Sequence, residues 1–172
     1  VGPMRAKLHP RISVTARWLL TIYIGLTLIC TLFMHVAGMG WFDSLCHSMS
    51  TVSTGGFSTK QASIAAFNSP AIEYVTTLFM FMGGINLSLL YLLIFKFRVR
   101  DMYRDSEFRT YLSIVLLFTA VITVGLVFTS DMPVAESFRT ALFQVVSIQT
   151  TTGFATANYV LWMPLLWLML CA

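Results

Sequence analysis

The sequence predicts an all-α integral membrane protein built from tandem units of span, re-entrant pore loop and span. Hydrophobic residues make up 57% of the 172 residues and charged residues 10%, whereas soluble domains have about 25% charged residues. Two hydroxyl-rich runs that contain Gly-Phe interrupt the apolar sequence, at 50–59 (STVSTGGFST) and 147–156 (SIQTTTGFAT). Irregular polar backbone persists at membrane depth only where it is buried in protein or lines a watery path. Two such runs therefore predict a path across the membrane.

Long apolar segments supply the spans. Residues 18–36, 72–95 and 111–129 each approach or exceed the roughly 20 residues that cross a bilayer. Basic residues cluster before the first span and between residues 96 and 109, and the positive-inside rule makes both clusters cytoplasmic. The predicted organisation is a cytoplasmic lead-in at 1–17, a complete unit at 18–97, a cytoplasmic linker at 98–110 and a second unit at 111–172. Because the last span is truncated, we expect the chain to be part of a longer protein.

A short helix is predicted before each hydroxyl-rich run. The segment from Asp43 to about Ser53 reaches only about 16 Å, roughly half the membrane, so the chain must enter and return. Glu136 opens the corresponding helix before the second run. The C-terminal end of each helix directs its partial negative charge toward the membrane centre, which favours a cation there. Further along, Ser69-Pro70 predicts a helix start, and Gly83-Gly84 predicts close packing or a bend within the second span.

The two units are predicted to be copies of one another in parallel orientation. The interval from Gly56 to Gly153 is 97 residues, and the same shift pairs Ser50 with Ser147. It also lays the first span on the segment beginning at Val115. One shift shared by span, short helix and loop indicates internal duplication.

The chemistry of the two loops suits a monovalent cation. A permeating cation replaces its hydration shell with oxygen ligands, and backbone carbonyls supply them in potassium filters. Glycine tolerates the backbone dihedrals that such carbonyls require. Neither loop has a carboxylate, which argues against a ring for divalent cations. The candidate filter residues are Ser53, Thr54, Gly55, Gly56, Thr150, Thr151, Thr152 and Gly153.

The loops STGGFS and TTTGFA and their shared framework resemble the Trk/Ktr/HKT superfamily of potassium transporters, most closely its bacterial TrkH/TrkG membrane subunits. The resemblance covers essentially the whole chain. It implies four non-identical units around a pseudo-four-fold potassium-channel-like pore, with this chain as the second unit and most of the third. The filter glycines then correspond to Gly56 and Gly153. Gly55 is matched by Thr152, so the implied filter is asymmetric.

The resemblance also implies the setting. It places the protein in the bacterial inner membrane as a multi-pass protein and a homodimer, bound to the remaining pore units and to a cytosolic nucleotide-binding ring of the TrkA type. Potassium would be the substrate. No cofactor bound by this chain and no nucleic-acid partner are expected.

Other functional classes are less consistent with the residues. A membrane-embedded enzyme would need Asp43, Glu73, His35 or His47, but these lie near the outer boundary and do not recur between the copies. The odd number of cysteines argues against a disulfide framework or a metal site. Arg139 is expected to snorkel or to pair with a carboxylate. A sodium-coupled or less selective monovalent cation transporter and a non-conducting structural subunit remain as alternatives.

Overall fold

The computed structural model describes residues 12–86, 89–90, 103–130 and 133–156, and these residues are helical or in turns and loops. Predictions for the first eleven residues, for residues 91–102, which include the first part of the linker, and for the span starting near Pro164 lie outside the described residues. The main helices are α1 (Ile12–Val36), α2 (Trp41–Val52), α3 (Pro70–Gly83), α4 (Ser106–Ser130) and α5 (Val134–Gln149), with a short 3-10 helix at Ser63–Phe67.

Helices α1 and α4 are the two long apolar helices within the described residues. Ala16–Val36 has a mean hydropathy of 2.0 and Ser106–Thr129 one of 2.5, so both are long and apolar enough to cross a membrane. Helix α1 has one buried and one exposed stripe of apolar residues on different faces, and in each stripe the residues are four positions apart. The buried stripe comprises Ile22, Leu26, Cys30 and Met34, and the exposed stripe comprises Leu20, Ile24, Leu28 and Leu32. An apolar residue on the exposed side is what a lipid-facing helix requires.

Helix α1 ends at Val36, two residues before Gly38. The backbone N–H of Met39 donates to the carbonyl of Met34 at 3.1 Å, and that of Gly38 donates to His35 at 3.0 Å. Gly38 has φ +107°. This is a Schellman motif, in which the residue just past the helix adopts a left-handed conformation that glycine favours.

The predicted short helices are α2 and α5. With 12 and 16 residues, they extend about 18 and 24 Å, less than the hydrocarbon thickness. Asp43 lies in the first turn of α2 and Glu136 in the first turn of α5, as predicted. Each short helix packs against the long helix before it, α2 on α1 and α5 on α4.

The second span is not one continuous helix. Ser69 precedes α3 and Pro70 is its first residue, as predicted, but α3 ends at Gly83 after 14 residues. A turn and a bend follow at Gly84 and Ile85 before helical residues resume at 89–90. The close packing or bend predicted at Gly83-Gly84 within the second span is confirmed, since the helix ends there and both glycines have close neighbours. The bend exists because the backbone at these glycines is pressed against both hydroxyl-rich loops.

Helix α4 begins within the predicted linker. It starts at Ser106, because a carboxylate oxygen of Asp105 accepts the backbone N–H groups of Glu107 at 2.8 Å and Phe108 at 3.4 Å. An aspartate that accepts these first amides is an N-cap. The cytoplasmic linker predicted at 98–110 included this aspartate, so the N-cap was not predicted.

Candidate functional site

Each hydroxyl-rich loop begins with the same set of backbone hydrogen bonds, displaced by 97 residues. After α2, the N–H groups of Ser53, Thr54 and Gly55 donate to the carbonyls of Met49, Thr51 and Ser50. After α5, the N–H groups of Thr150, Thr151 and Thr152 donate to the carbonyls of Val146, Ile148 and Ser147. Even a side-chain bond recurs, since the hydroxyls of Ser53 and Thr150 both donate at 2.8 Å to the carbonyl four residues earlier. The duplication seen in the sequence therefore extends to individual hydrogen bonds.

These bonds form Schellman motifs, but the left-handed residue is a threonine. Thr54 has φ +52° and Thr151 has φ +57°, where α1 has Gly38. A β-branched residue in this region is a strained exception. Strain of this kind, about 1–3 kcal/mol, clusters at functional sites. Glycines with positive φ follow two residues later in both loops, Gly56 at +69° and Gly153 at +83°.

The hydrogen bonds also define the direction of the carbonyl groups. In a trans peptide the C=O points opposite to the N–H of the next residue. Because the N–H groups of Thr54 and Gly55 point back at α2, the carbonyls of Ser53 and Thr54 point away from it. By the same geometry the carbonyls of Thr150 and Thr151 point away from α5. Each loop thus presents consecutive carbonyl oxygens on the side opposite its short helix.

The two loops meet at Gly56. A β-carbon built on Gly56 would overlap the carbonyl oxygen of Thr152 and lie 3.0 Å from its carbonyl carbon. Only glycine permits this approach of one backbone to another. The structure therefore brings together residues that are 96 positions apart in the chain, and all eight predicted filter residues lie in these two adjoining loops.

The end of α3 lies against both loops. A β-carbon on Gly83 would be 3.1 Å from the carbonyl oxygen of Val52, the last residue of α2. One on Gly84 would be 2.6 Å from Cγ2 of Thr150 and 2.8 Å from the hydroxyl of Tyr111. The glycine pair consequently supports the first loop with one residue and the second loop with the next.

The copies differ in what surrounds the loops. Phe154 is fully buried, and its ring centroid lies 6.0 Å from that of His47 in the first unit. The equivalent Phe57 is 82% exposed. The hydroxyl of Ser147 donates to the carbonyl of Phe154 at 2.7 Å, whereas the buried hydroxyl of Ser50 has no hydrogen-bond partner among the described residues.

The segment that leaves the first loop is tied back to α2. The Nε2 atom of His47 lies 2.9 Å from the hydroxyl of Ser58. The hydroxyl of Thr59 donates at 2.6 Å to Asp43, whose other carboxylate oxygen lies 3.9 Å from Nζ of Lys60. These contacts hold the returning chain beside the short helix, and they give His47 and Asp43 structural partners.

Within the described residues, an ion pair and several hydrogen bonds join the two units. Nε of Arg139 lies 2.7 Å from Oε2 of Glu73, so the expectation that Arg139 pairs with a carboxylate is confirmed. The N–H of Ala65 donates to the carbonyl of Ala155, and the N–H of Ala155 donates to the hydroxyl of Ser63, both at 3.3 Å. Sequence reasoning missed the identity of these partners because nothing local links them.

Chemically, the site offers oxygen ligands and a favourable field for a cation. Neither loop carries a charged side chain, and both short helices end at the loops, where the helix dipole is negative. No group of three or more His, Cys, Asp or Glu side chains that could hold a metal ion occurs among the described residues. Any ion at the site would be held by carbonyls and hydroxyls.

Fold and site together define an all-helical membrane protein of the pore-loop class. The chain belongs to the TrkH family of cation transport proteins, whose family model matches residues 4–171. It is 41% identical over 162 residues to the Trk system potassium uptake protein TrkH of Halomonas elongata. The matched region is 94% of this chain and 34% of that protein.

Two further relatives agree with this assignment. The Trk system potassium uptake protein TrkG of Escherichia coli is 35% identical over 94% of this chain and 33% of its own length. The crystal structure of the potassium transporter TrkH from Vibrio parahaemolyticus matches with a TM-score of 0.89 and 35% identity, covering 96% of this chain and 36% of that one. The chain thus spans about a third of the length of these relatives.

Proposed function

We propose that the full-length protein containing this chain takes up potassium ions across the bacterial inner membrane through a channel-like pore. Ser53 to Gly56 and Thr150 to Gly153 would form part of its selectivity filter. The observation that carries the proposal is the repeated loop geometry, in which the same carbonyls turn away from the short helix in both copies. Support also comes from the relatives, which are named potassium uptake proteins.

In this proposal a dehydrating potassium ion exchanges its water for the carbonyl oxygens of the two loops. Similar ligand energies at successive sites allow the ion to enter and to leave. The negative ends of α2 and α5 lower the energy of the cation at these sites. Potassium is the transported substrate, and no resident cofactor takes part.

The remaining units of the pore are proposed to cover the faces that are open here. Contact between the units is directional, since Thr152 and Phe154 of the second unit lie on Gly56 and His47 of the first. Head-to-tail contacts of this type form rings when they close. The exposed Phe57 of the first unit would then contact a preceding unit in the way that Phe154 contacts the first.

In this proposal the exposed stripe of α1 faces the lipid bilayer. The chain start and residues 96–109 lie on the cytoplasmic side. Assembly as a homodimer and regulation by a cytosolic nucleotide-binding ring rest on the family resemblance. A transporter is favoured over an enzyme, because Asp43, Glu73, His35 and His47 have separate structural contacts. His35, for example, stacks on Trp41 with ring centroids 3.9 Å apart.

A second candidate function is a less selective or sodium-coupled monovalent cation transporter. The observation that favours it is the unequal composition and bonding of the two loops, with Gly55 opposite Thr152 in the repeat. Unequal ligands would discriminate less sharply between potassium and sodium than a four-fold symmetric ring.

Rubidium and sodium uptake into liposomes that contain the full-length protein tests the proposal. We expect rubidium flux to exceed sodium flux and the preference to be lost in Gly56→Ser, because the added side chain collides with the Thr152 carbonyl. Gly25→Ser is the matched control, since nothing lies within 4 Å of a β-carbon at Gly25. Fluxes of both ions no higher than those of protein-free liposomes, unaffected by Gly56→Ser, would support the non-conducting structural subunit, and equal fluxes above that level would support the less selective transporter.

A further inference from the structure

Ser147 makes three hydrogen bonds to the second loop. Its side chain is fully buried. Its carbonyl accepts the N–H of Thr152 at 2.8 Å and that of Gly153 at 3.2 Å. Its hydroxyl donates to the carbonyl of Phe154 at 2.7 Å. One residue of α5 therefore holds three consecutive residues of the loop.

These bonds restrict the rotation of the peptide groups in the loop. The N–H groups of Thr152 and Gly153 point at Ser147, so the carbonyls of Thr151 and Thr152 point away from it. The carbonyl of Phe154 points the other way, toward the Ser147 hydroxyl. Since the loop is held on both sides of Gly153, the Thr152 carbonyl cannot turn without breaking a buried hydrogen bond.

Ser50 occupies the same position in the first unit but makes fewer bonds. Its carbonyl accepts the N–H of Gly55 at 2.7 Å and the hydroxyl of Ser53 at 3.4 Å. Within the described residues, the N–H of Gly56 makes no corresponding bond, and the Ser50 hydroxyl has no partner although it is 93% buried, its exposed fraction being 7%. In the part of the chain that the structure describes, the peptide groups after Gly55 therefore have fewer hydrogen bonds than those after Thr152.

We propose that Ser147 is a positioning residue that makes the second loop the more rigid of these two filter loops and thereby sets the discrimination between potassium and sodium. This rests on the proposed function. A filter that selects by size requires oxygens that do not follow a smaller ion inward. The Ser147 hydroxyl supplies this restraint to the second loop, while the first loop adapts to the ion. Ser147 itself does not touch the ion.

The test measures rubidium and sodium flux through the full-length protein in liposomes for Ser147→Ala and Ser50→Ala. Both variants remove one buried hydroxyl at equivalent positions and leave the backbone carbonyl in place. For Ser147→Ala we expect the rubidium-to-sodium ratio to fall about fivefold, the factor that one net hydrogen bond contributes, with rubidium flux retained. For Ser50→Ala we expect a change of less than about twofold, because its hydroxyl makes no bond to lose.

Further variants distinguish a failure of the proposed Ser147 role from a failure of the proposed potassium uptake. Ser147→Thr keeps the hydroxyl and should restore the ratio, which a purely structural role in packing would not produce. If Ser147→Ala fails to assemble, Ser147→Cys replaces it, because a thiol is of similar size and a weaker donor, and an intermediate ratio is expected. A selective parent whose ratio is unchanged in both the Ala and Cys variants, or equally reduced in Ser50→Ala, overturns the role of Ser147. A parent without rubidium preference overturns the proposed function itself.

Discussion

Arg139 on α5 forms an ion pair with Glu73 on α3, with 2.7 Å between Nε and Oε2. The two residues are 66 positions apart and belong to different units. Both side chains are largely buried, at 23% and 12% exposure. The pair therefore connects the helix after the first loop to the helix before the second.

We expect removal of one partner to destabilise the protein. Glu73→Gln leaves the Arg139 charge partly buried and unpaired, which costs about 2–4 kcal/mol. Thermal unfolding of the full-length protein in detergent should show a midpoint lower by several degrees. Lys60→Met is the control, because the pair of Lys60 with Asp43 is longer, at 3.9 Å, and Lys60 is half exposed, so that the pair contributes about 0–1 kcal/mol. Equal midpoints for Glu73→Gln and the parent would show that the pair does not hold the units together.

Gly84→Ala should disturb the second loop. Its β-carbon would approach Thr150 Cγ2 to 2.6 Å and the Tyr111 hydroxyl to 2.8 Å, and overpacking of this kind costs about 1–3 kcal/mol. We expect both a lower unfolding midpoint and reduced rubidium flux. Gly25→Ala, in open surroundings on α1, should leave the flux as in the parent. A Gly84→Ala protein with normal flux and stability would contradict the close packing of α3 against the loop.

Removing the backbone strain at Thr54 and Thr151 should raise the stability of the protein and lower its ion selectivity. Thr54→Gly and Thr151→Gly remove a β-branched residue from a left-handed conformation, which is worth about 1–2 kcal/mol. We expect a higher unfolding midpoint for each variant together with a lower rubidium-to-sodium flux ratio, because glycine lets the loop carbonyls reorient.

Thr54→Ala and Thr151→Ala serve as comparisons for this effect. Alanine lacks the β-branch but keeps the β-carbon, so it should give a smaller gain in stability. A glycine variant that is less stable than the alanine variant at the same position would show that the threonine conformation is not strained.

Phe57 tests for the presence of a neighbouring unit. In the full-length protein we expect Phe57→Ala to lower the unfolding midpoint nearly as much as Phe154→Ala, whose ring is fully buried and whose loss costs about 3–5 kcal/mol. Phe128→Ala is the matched control, since Phe128 is 84% exposed on α4, close to the 82% of Phe57. If Phe57→Ala is as mild as Phe128→Ala, no further unit covers this side of the first loop.

Much of the site could be predicted, because the sequence features that define it lie close together in the chain and occur twice. The 97-residue shift paired Thr54 with Thr151 and Gly56 with Gly153, and these pairs share positive φ angles in the structure. The short helices were predictable from length and from Asp43 and Glu136. Asp105 could have been recognised too, since an aspartate before an apolar periodic run is an N-cap signal.

Other features depend on contacts between distant segments. The glycine pair at the end of α3 predicts packing or a bend, but the residue that Gly84 approaches, Thr150, has no local signal. Neither the Glu73 partner of Arg139 nor the unequal bonding of Ser50 and Ser147 has a local signal. Ser50 and Ser147 are identical residues at equivalent positions, and only their different surroundings give them different hydrogen bonds.

By itself, the sequence determined that this is a helical membrane protein with two related re-entrant loops, because hydropathy, helix length and the spacing of glycines act over a few residues at a time. Only the tertiary structure decided how the copies differ. Packing Thr152 onto Gly56 and Phe154 onto His47 buries one loop against the other unit and leaves Phe57 exposed. In a head-to-tail contact, two neighbouring copies meet through different faces. Equivalent residues of the two copies, such as Phe57 and Phe154, therefore have different surroundings.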